Sequence, residues 1–261
     1  MPNKNFLAAS CLTWFLMLVP LAQAGLDLDR LSPEDIQTVE GLIQKLAPVI
    51  TERDKQGTLA ELTFDDLYAP LNRKDRKYLK EYLNLDPKKV GVKIPYRGIA
   101  KGDVKLVKIS GQKMNVKGDV KELVPQFLPV KVHQKYTAMM KAMKKDIGKV
   151  LYVESGYRSS AYQLYIFLFY LKNHEYSIRE TARFVALPGY SEHGSPEHQA
   201  IDFINENGIN GEYNPKEFED LPEYRWLLKN ARKYGFELSY PRKSREEITF
   251  EPWHWRYRGG K

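Results

Sequence analysis

A chain of 261 residues with 43% hydrophobic and 28% charged residues has ordinary globular composition, which excludes wholesale disorder and a low-complexity or collagen-like fibre. Against 33 acidic residues stand 41 basic ones, a formal charge of +8 that favours anionic surroundings without naming a partner. With one cysteine and five histidines there is no material for a disulfide framework or a thiolate zinc site, so a bound metal must be held by nitrogen and oxygen.

Residues 1–24 read as a targeting segment. Lys4 precedes an apolar run from Phe6 to Leu21, and Ala22-Gln23-Ala24 supplies small residues at a cleavage site. The run sits at the short edge of the ~17–25 residues that span a bilayer, so cleavage after Ala24 is expected rather than a lasting anchor. The sole cysteine, Cys11, falls inside this segment. No later stretch approaches spanning length, and the expectation is export to the periplasm or cell envelope without stable membrane insertion.

A helix is predicted from residue 31 to about Pro48, with Ser32 as N-cap, Pro33 at the first position and Ile36, Val39, Leu42, Ile43 and Leu46 on one face. A second is expected over residues 73–83, after the turn Pro70-Leu71-Asn72. Between residues 89 and 124 the pattern shifts to short β-branched runs, 90–94 and 104–109, punctuated by Gly98, Gly102, Gly111 and Gly118. Residues 25–127 are thus read as an accessory region of helices and short strands, with a boundary near 125–129, and residues 128–261 as the catalytic region.

In the second half, helices are expected at 133–146, ending at Gly148, and at 161–171. A third runs from Ser177 through Val185, where Ser177 and Glu180 form a capping-box pattern. Strands are expected at 150–154, 200–204 and 236–240, a helical region from Asn214-Pro215 to just before Gly235, and an extended aromatic stretch at 248–257. Without regular alternation of strand and helix, the fold class is α+β: a small antiparallel sheet flanked by helices.

Three of the five histidines lie in two clusters, Ser191-Glu192-His193-Gly194-Ser195-Pro196-Glu197-His198-Gln199-Ala200-Ile201-Asp202 and Glu251-Pro252-Trp253-His254. Two imidazoles and one carboxylate with a fourth position open suit a catalytic zinc, and a further carboxylate can take the proton of the attacking water. His133 and His174 lie in lysine-rich helical surroundings and read as solvated, as do Lys141, Lys144 and Lys145. No nucleic-acid motif is present.

Ser-Glu-His, then Ala-Ile-Asp, then Glu-Pro-Trp-His-Trp-Arg-Tyr, with Ser155-Gly156-Tyr157-Arg158-Ser159 upstream, resembles the D-alanyl-D-alanine carboxypeptidases and dipeptidases of the vancomycin-resistance type. These are zinc peptidases grouped with lysostaphin and the sonic hedgehog amino-terminal domain. The resemblance implies that His193, Asp202 and His254 hold Zn2+, that Glu251 is the general base, and that Arg158 neutralises the substrate carboxylate or the oxyanion. Gln163, Ser191 and Trp253 are carried over as substrate contacts, although Trp253 and Trp255 also read as core aromatics.

The implied function is a D-alanyl-D-alanine carboxypeptidase acting on peptidoglycan stem peptides ending in D-Ala. L,D-carboxypeptidase, D-Ala-D-Ala dipeptidase and a non-catalytic peptidoglycan-binding module are the alternatives. His193 to Asp202 spans nine positions, two more than the family pattern, and His198 stands where the pattern has glycine. His198 is therefore a rival ligand. On an extended strand, however, it would lie roughly 13 Å from Asp202, which favours His193. Glu251 and His254, three apart, would face oppositely on a regular strand, so a bulge or turn is expected at Pro252.

Overall fold

The computed structural model describes residues 25–91, 105–195, 198–242 and 250–259. The expected signal segment, most of the run 90–94, Gly98, Gly102, Pro196 and Glu197 lie outside them. Helix α1 (Pro33–Lys55) begins as its sequence dictates: the Ser32 hydroxyl accepts from the Asp35 amide at 3.1 Å, Pro33 occupies the first turn, and Glu34 and Asp35 face the positive end of the helix dipole. It does not stop at Pro48. A proline inside a helix removes one backbone hydrogen bond, but Val49 and Ile50 pack onto the core and keep the helix going to Lys55.

Helices α2 (Phe64–Tyr68) and α3 (Arg73–Leu83) each start with a complete capping box, Thr63 with Asp66 and Asn72 with Asp75. The one-turn α4 (Pro87–Val90) ends at Gly91 in the left-handed conformation, φ 82°. Val90 thus closes a helical turn and is buried, instead of opening a strand.

Strand β1 (Leu106–Ile109) pairs antiparallel with β4 (Gln126–Pro129), and β2 (Lys113–Val116) with β3 (Asp119–Glu122) in a hairpin. The two-residue turn Lys117-Gly118 has positive φ at both positions, the handedness that matches strand twist. Helix α5 (Val130–Ile147) then leads through Gly148 to β5 (Leu151–Ser155), and α6 (Ser160–Leu171) follows with Ser159 as its N-cap. The helix expected from Ser177 to Val185 is only α7 (Ile178–Thr181). Beyond it the bonding mixes i→i+3 and i→i+4 partners and loosens into turns. Strand β6 (Ala200–Asn205), α8 (Pro215–Glu219), α9 (Pro222–Asn230), β7 (Phe236–Leu238) and β8 (His254–Tyr257) complete the chain.

Two cores result. In the second half of the chain a four-stranded antiparallel sheet, ordered β5-β6-β8-β7, buries Val153, Ile201, Phe203 and Trp255 against Met139 and Met143 of α5 and Leu227 of α9. The other core joins Val39, Leu42 and Leu46 of α1 and Leu79 and Tyr82 of α3 to Leu164, Phe167, Leu168 and Leu171 of α6. Helix α6 is apolar nearly all round, which is why it needs partners beyond its own half of the chain.

The outer strand β5 is also covered from upstream. Gln112, in the turn between β1 and β2, is buried and donates Nε2–H to the Val153 carbonyl at 2.9 Å, while its Oε1 accepts from the Val153 amide at 2.8 Å. One side chain therefore supplies both bonds that a neighbouring strand would give to the edge.

Candidate active site

Alternation along β6 sends Ile201 and Phe203 into the second core and Asp202 to the opposite face. The register then sets Ser155, Asp202 and His254 in one row across β5, β6 and β8. His193 arrives on a short 3-10 turn (Glu192–Gly194), whose entry is fixed by Ser191 accepting from the His193 amide. That turn is pressed against the Arg158 loop: the Arg158 amide donates to the His193 carbonyl at 3.0 Å, and a Cβ on Gly194 would sit 2.9 Å from the Arg158 carbonyl oxygen.

One nitrogen from each imidazole and a carboxylate oxygen of Asp202 all lie within 4.8 Å of one another. Among the described residues these three form the cluster; His198 is not one of them. His193 Nε2 is 3.1 Å from Asp202 Oδ2, and His254 Nδ1 is 2.8 Å from Asp202 Oδ1. Oδ1 is buried, and the His254 ring nitrogen beside it is its close polar neighbour. Two imidazoles and a carboxylate gathered around one point are a donor set that a cation can take over by displacing a proton.

The far side of each ring supports this orientation. His193 Nδ1 donates to the Gly156 carbonyl at 2.7 Å, which leaves Nε2 as the ligand atom. His254 Nε2 is 3.1 Å from Glu192 Oε2, which leaves Nδ1. A two-nitrogen, one-oxygen donor set of this kind fits zinc.

The charges follow from burial and proximity. Burial disfavours the imidazolium of His193 and lowers its pKa. For His254 burial acts the same way, yet the Asp202 and Glu192 carboxylates outweigh it and push the ring up to about 10. Asp202 shows the converse: burial opposes ionisation, but His193 and His254 hold its carboxyl well below the usual range. Burial pushes the Glu251 carboxyl up to about 7, with Asp202 and Glu192 adding to the effect and His254 and Arg158 opposing it. A carboxylate poised near neutrality suits proton transfer. Glu251 Oε2 stands 3.7 Å from His254 Nδ1, brought there by a turn through Pro252 and Trp253 just before β8. The turn expected at Pro252 is present, and its carbonyl accepts from the Trp255 indole at 2.9 Å.

Arg158 is held from two sides, donating to Gln163 Oε1 at 2.9 Å and to Ser155 Oγ at 3.1 Å. Gln163 is only 1% exposed and spends its amide nitrogen on the Ala186 carbonyl. It therefore stands behind Arg158 and supports its guanidinium. Trp253 packs against the second core and across Gly211. Gly156 is required by close approach: a Cβ there would lie 2.4 Å from the Phe127 carbonyl oxygen.

Three residues not singled out from the sequence also belong here. Glu192 sits behind His254, bonded to Ser239 and Arg256 as well. The Tyr240 ring lies 4.9 Å from that of His254. Glu154, preceding Ser155, is pushed up to about 7 chiefly by burial, with Asn210 donating to it at 2.8 Å.

The cluster of His193, Asp202 and His254 could hold a divalent metal, with Glu251 and Arg158 beside it. The family model described as VanY, D-alanyl-D-alanine carboxypeptidase, matches residues 126–260, slightly more than half of the chain. The chain belongs to this family of metallo-carboxypeptidases.

It is 39% identical over 129 residues to YodJ of Bacillus subtilis (strain 168), covering 47% of this chain and 43% of that protein. To the bifunctional D-Ala-D-Ala dipeptidase and D-Ala-D-Ala carboxypeptidase VanXYC of Enterococcus gallinarum it is 32% identical over 137 residues, 51% of this chain and 68% of the other. A D-alanyl-D-alanine carboxypeptidase of Enterococcus faecium is 30% identical over 138 residues, 51% of this chain and 38% of the other. The chain thus spans less than half the length of the first and third of these relatives. A solved zinc complex of a mutant of the vancomycin-resistance D,D-pentapeptidase VanY aligns over 64% of this chain and 86% of its own, with 24% identity and a TM-score of 0.45.

Proposed function

We propose that this protein is a zinc-dependent D-alanyl-D-alanine carboxypeptidase that removes the terminal D-Ala from peptidoglycan stem peptides after export directed by residues 1–24. The observation that supports it best is the convergence of His193, Asp202 and His254 on one point, with Glu251 at its edge. A zinc ion held by these three would supply Lewis acidity toward the scissile carbonyl and a lowered pKa for the attacking water. Glu251 takes the proton of that water and returns it to the leaving D-Ala amine. Its carboxylate stands at the edge of the cluster, within reach of both positions. Arg158, its guanidinium already restrained by Gln163 and Ser155, receives the terminal carboxylate or the developing oxyanion.

Glu251 argues against a non-catalytic wall-binding module, which has no use for a base of this kind. The test is incubation of zinc-loaded protein with a D-Ala-D-Ala-terminated pentapeptide and, separately, with the tetrapeptide and the free dipeptide, followed by mass analysis. Release of one alanine from the pentapeptide alone is expected. Cleavage of the tetrapeptide would indicate an L,D-carboxypeptidase, and cleavage of the dipeptide a dipeptidase. All three substrates left intact by protein that still binds muropeptide would end the hydrolase reading.

A further inference from the structure

Glu192 precedes a proposed metal ligand in sequence but acts on a different one in space. It is 3% exposed, and its side chain reaches His254 at the start of β8 and Ser239 just after β7. Oε2 lies 3.1 Å from His254 Nε2 and accepts from Ser239 Oγ at 2.6 Å. Oε1 accepts from Arg256 Nη1 at 2.9 Å. Arg256 is itself anchored, because its Nε and Nη2 reach Glu237 Oε1 at 2.8 and 2.7 Å. Glu237 in turn pairs with Arg258 at 2.6 Å. A buried, fully engaged carboxylate thus stands behind one imidazole, on the side facing away from Asp202.

We infer that Glu192 is a positioning residue for the metal centre: it fixes the tautomer and tilt of His254 so that Nδ1 faces the point shared with Asp202 and His193. This rests on the proposed metal site. A ring whose Nε2–H is committed to a carboxylate keeps that proton when a metal binds, so Nδ1 is the nitrogen that gives up its proton to ligate, and it does so as a more basic donor. The arrangement also depends on an acceptor at both ends of residue 192. Two donors converge on Oε2 and a third on Oε1, so an amide, which has one accepting and one donating end, cannot satisfy His254 and Arg256 together. A glutamine here is therefore close in size and wrong in chemistry.

The test compares zinc affinity, by competition with a chromophoric chelator, for the full-length wild type, Glu192→Gln and Ser239→Ala. Melting temperatures of the metal-free forms are measured alongside. Glu192→Gln is expected to bind zinc about 10–100-fold more weakly while still folding, the range found when the partner of a ligating histidine is removed. The downfield Nε2–H proton signal of His254 in the zinc-loaded protein should vanish with it. Ser239→Ala removes one support and leaves the carboxylate, so a several-fold loss is expected even if the glutamine variant fails to fold. A merely structural role would lower the melting temperature and leave the affinity of the folded protein unchanged. Wild type that binds zinc, with both variants within twofold of it, would overturn the inference alone. Wild type that binds no zinc would overturn the metal site itself.

Discussion

Gln112 lies upstream of residues 126–260, the stretch matched by the family model, yet it closes the outer edge of the strand that carries Ser155. In Gln112→Ala the N–H and C=O of Val153, a residue 0% exposed, would both lose their partners. A buried polar group left unpaired costs about 1–3 kcal/mol, so two cost about 2–4 kcal/mol after partial relaxation toward water. That is a large part of the roughly 5–15 kcal/mol that typically holds a domain together. Equilibrium urea denaturation followed by tryptophan fluorescence would read the loss as a lower midpoint. Gln112→Glu should be at least as damaging, since it sets a second acceptor against the Val153 carbonyl. A Gln112→Ala variant within about 0.5 kcal/mol of wild type would refute the account of β5 as an edge held by this side chain.

Glu251→Gln should retain zinc, measured by metal analysis, and lose about 10²–10⁴-fold in kcat, the range expected for a general base; unchanged turnover would show the base to be elsewhere. Arg158→Lys keeps the charge but loses the fork that Gln163 and Ser155 hold, so KM for the pentapeptide should rise at least tenfold with zinc affinity unaltered. The side-chain bonds from Arg53 and Thr63, the largest influences on Asp66, lower its carboxyl from 3.8 to about 2. Its contribution, about 1–2 kcal/mol after solvent screening, is therefore complete above roughly pH 5 and fades as pH falls through 4 toward 2. Asp66→Asn should show that deficit at pH 7 and a smaller one at pH 3 by denaturant titration; an equal deficit at both would contradict it. Residues 126–260 expressed alone should show no cooperative thermal transition, because Leu164, Phe167 and Leu168 would lose α1 and α3; a sharp transition by calorimetry would contradict this.

Local signals are legible where a few neighbouring residues determine the outcome. Ser32-Pro33 and Asn72 start helices where their capping chemistry directs, and the 3.6-residue spacing of Val39, Leu42 and Leu46 identifies the buried face of α1. The set His193, Asp202 and His254 is legible through the resemblance of its flanking motifs to a zinc-peptidase family, since 33 acidic residues and five histidines leave the choice open on composition alone. Glu192 is not, since its meaning comes from Ser239 and Arg256, 47 and 64 positions away and brought near only by sheet pairing. Gln112 is equally silent: an isolated glutamine after a glycine reads as a turn residue until β5 is seen, among the described residues, to have no strand paired on that side. The extension of α1 past Pro48 escapes a local reading for the opposite reason, since the packing of Val49 and Ile50 onto the core overrides the rule that proline ends a helix.

The loop Ser155 to Ser159 shows why the upstream residues bear on the chemistry at all. Its Gly156 amide donates to Gln126 Oε1 at 3.1 Å and its Tyr157 amide to the Phe127 carbonyl at 2.6 Å. At its other end Ser159 donates from its amide to the Ala60 carbonyl at 2.9 Å and from its hydroxyl to the Leu62 carbonyl at 2.6 Å. Between these anchors lie the Gly156 carbonyl that orients His193 and the Arg158 guanidinium. A loop that must present both within a fraction of an ångström cannot rely on its own short chain, and the backbone at 60–62 and 126–127 holds it from either side. The backbone at 60–62 thus bears on the candidate site: remove the Ala60 and Leu62 carbonyls, and Ser159 keeps its capping bond to Tyr162 but loses its fixed position relative to His193.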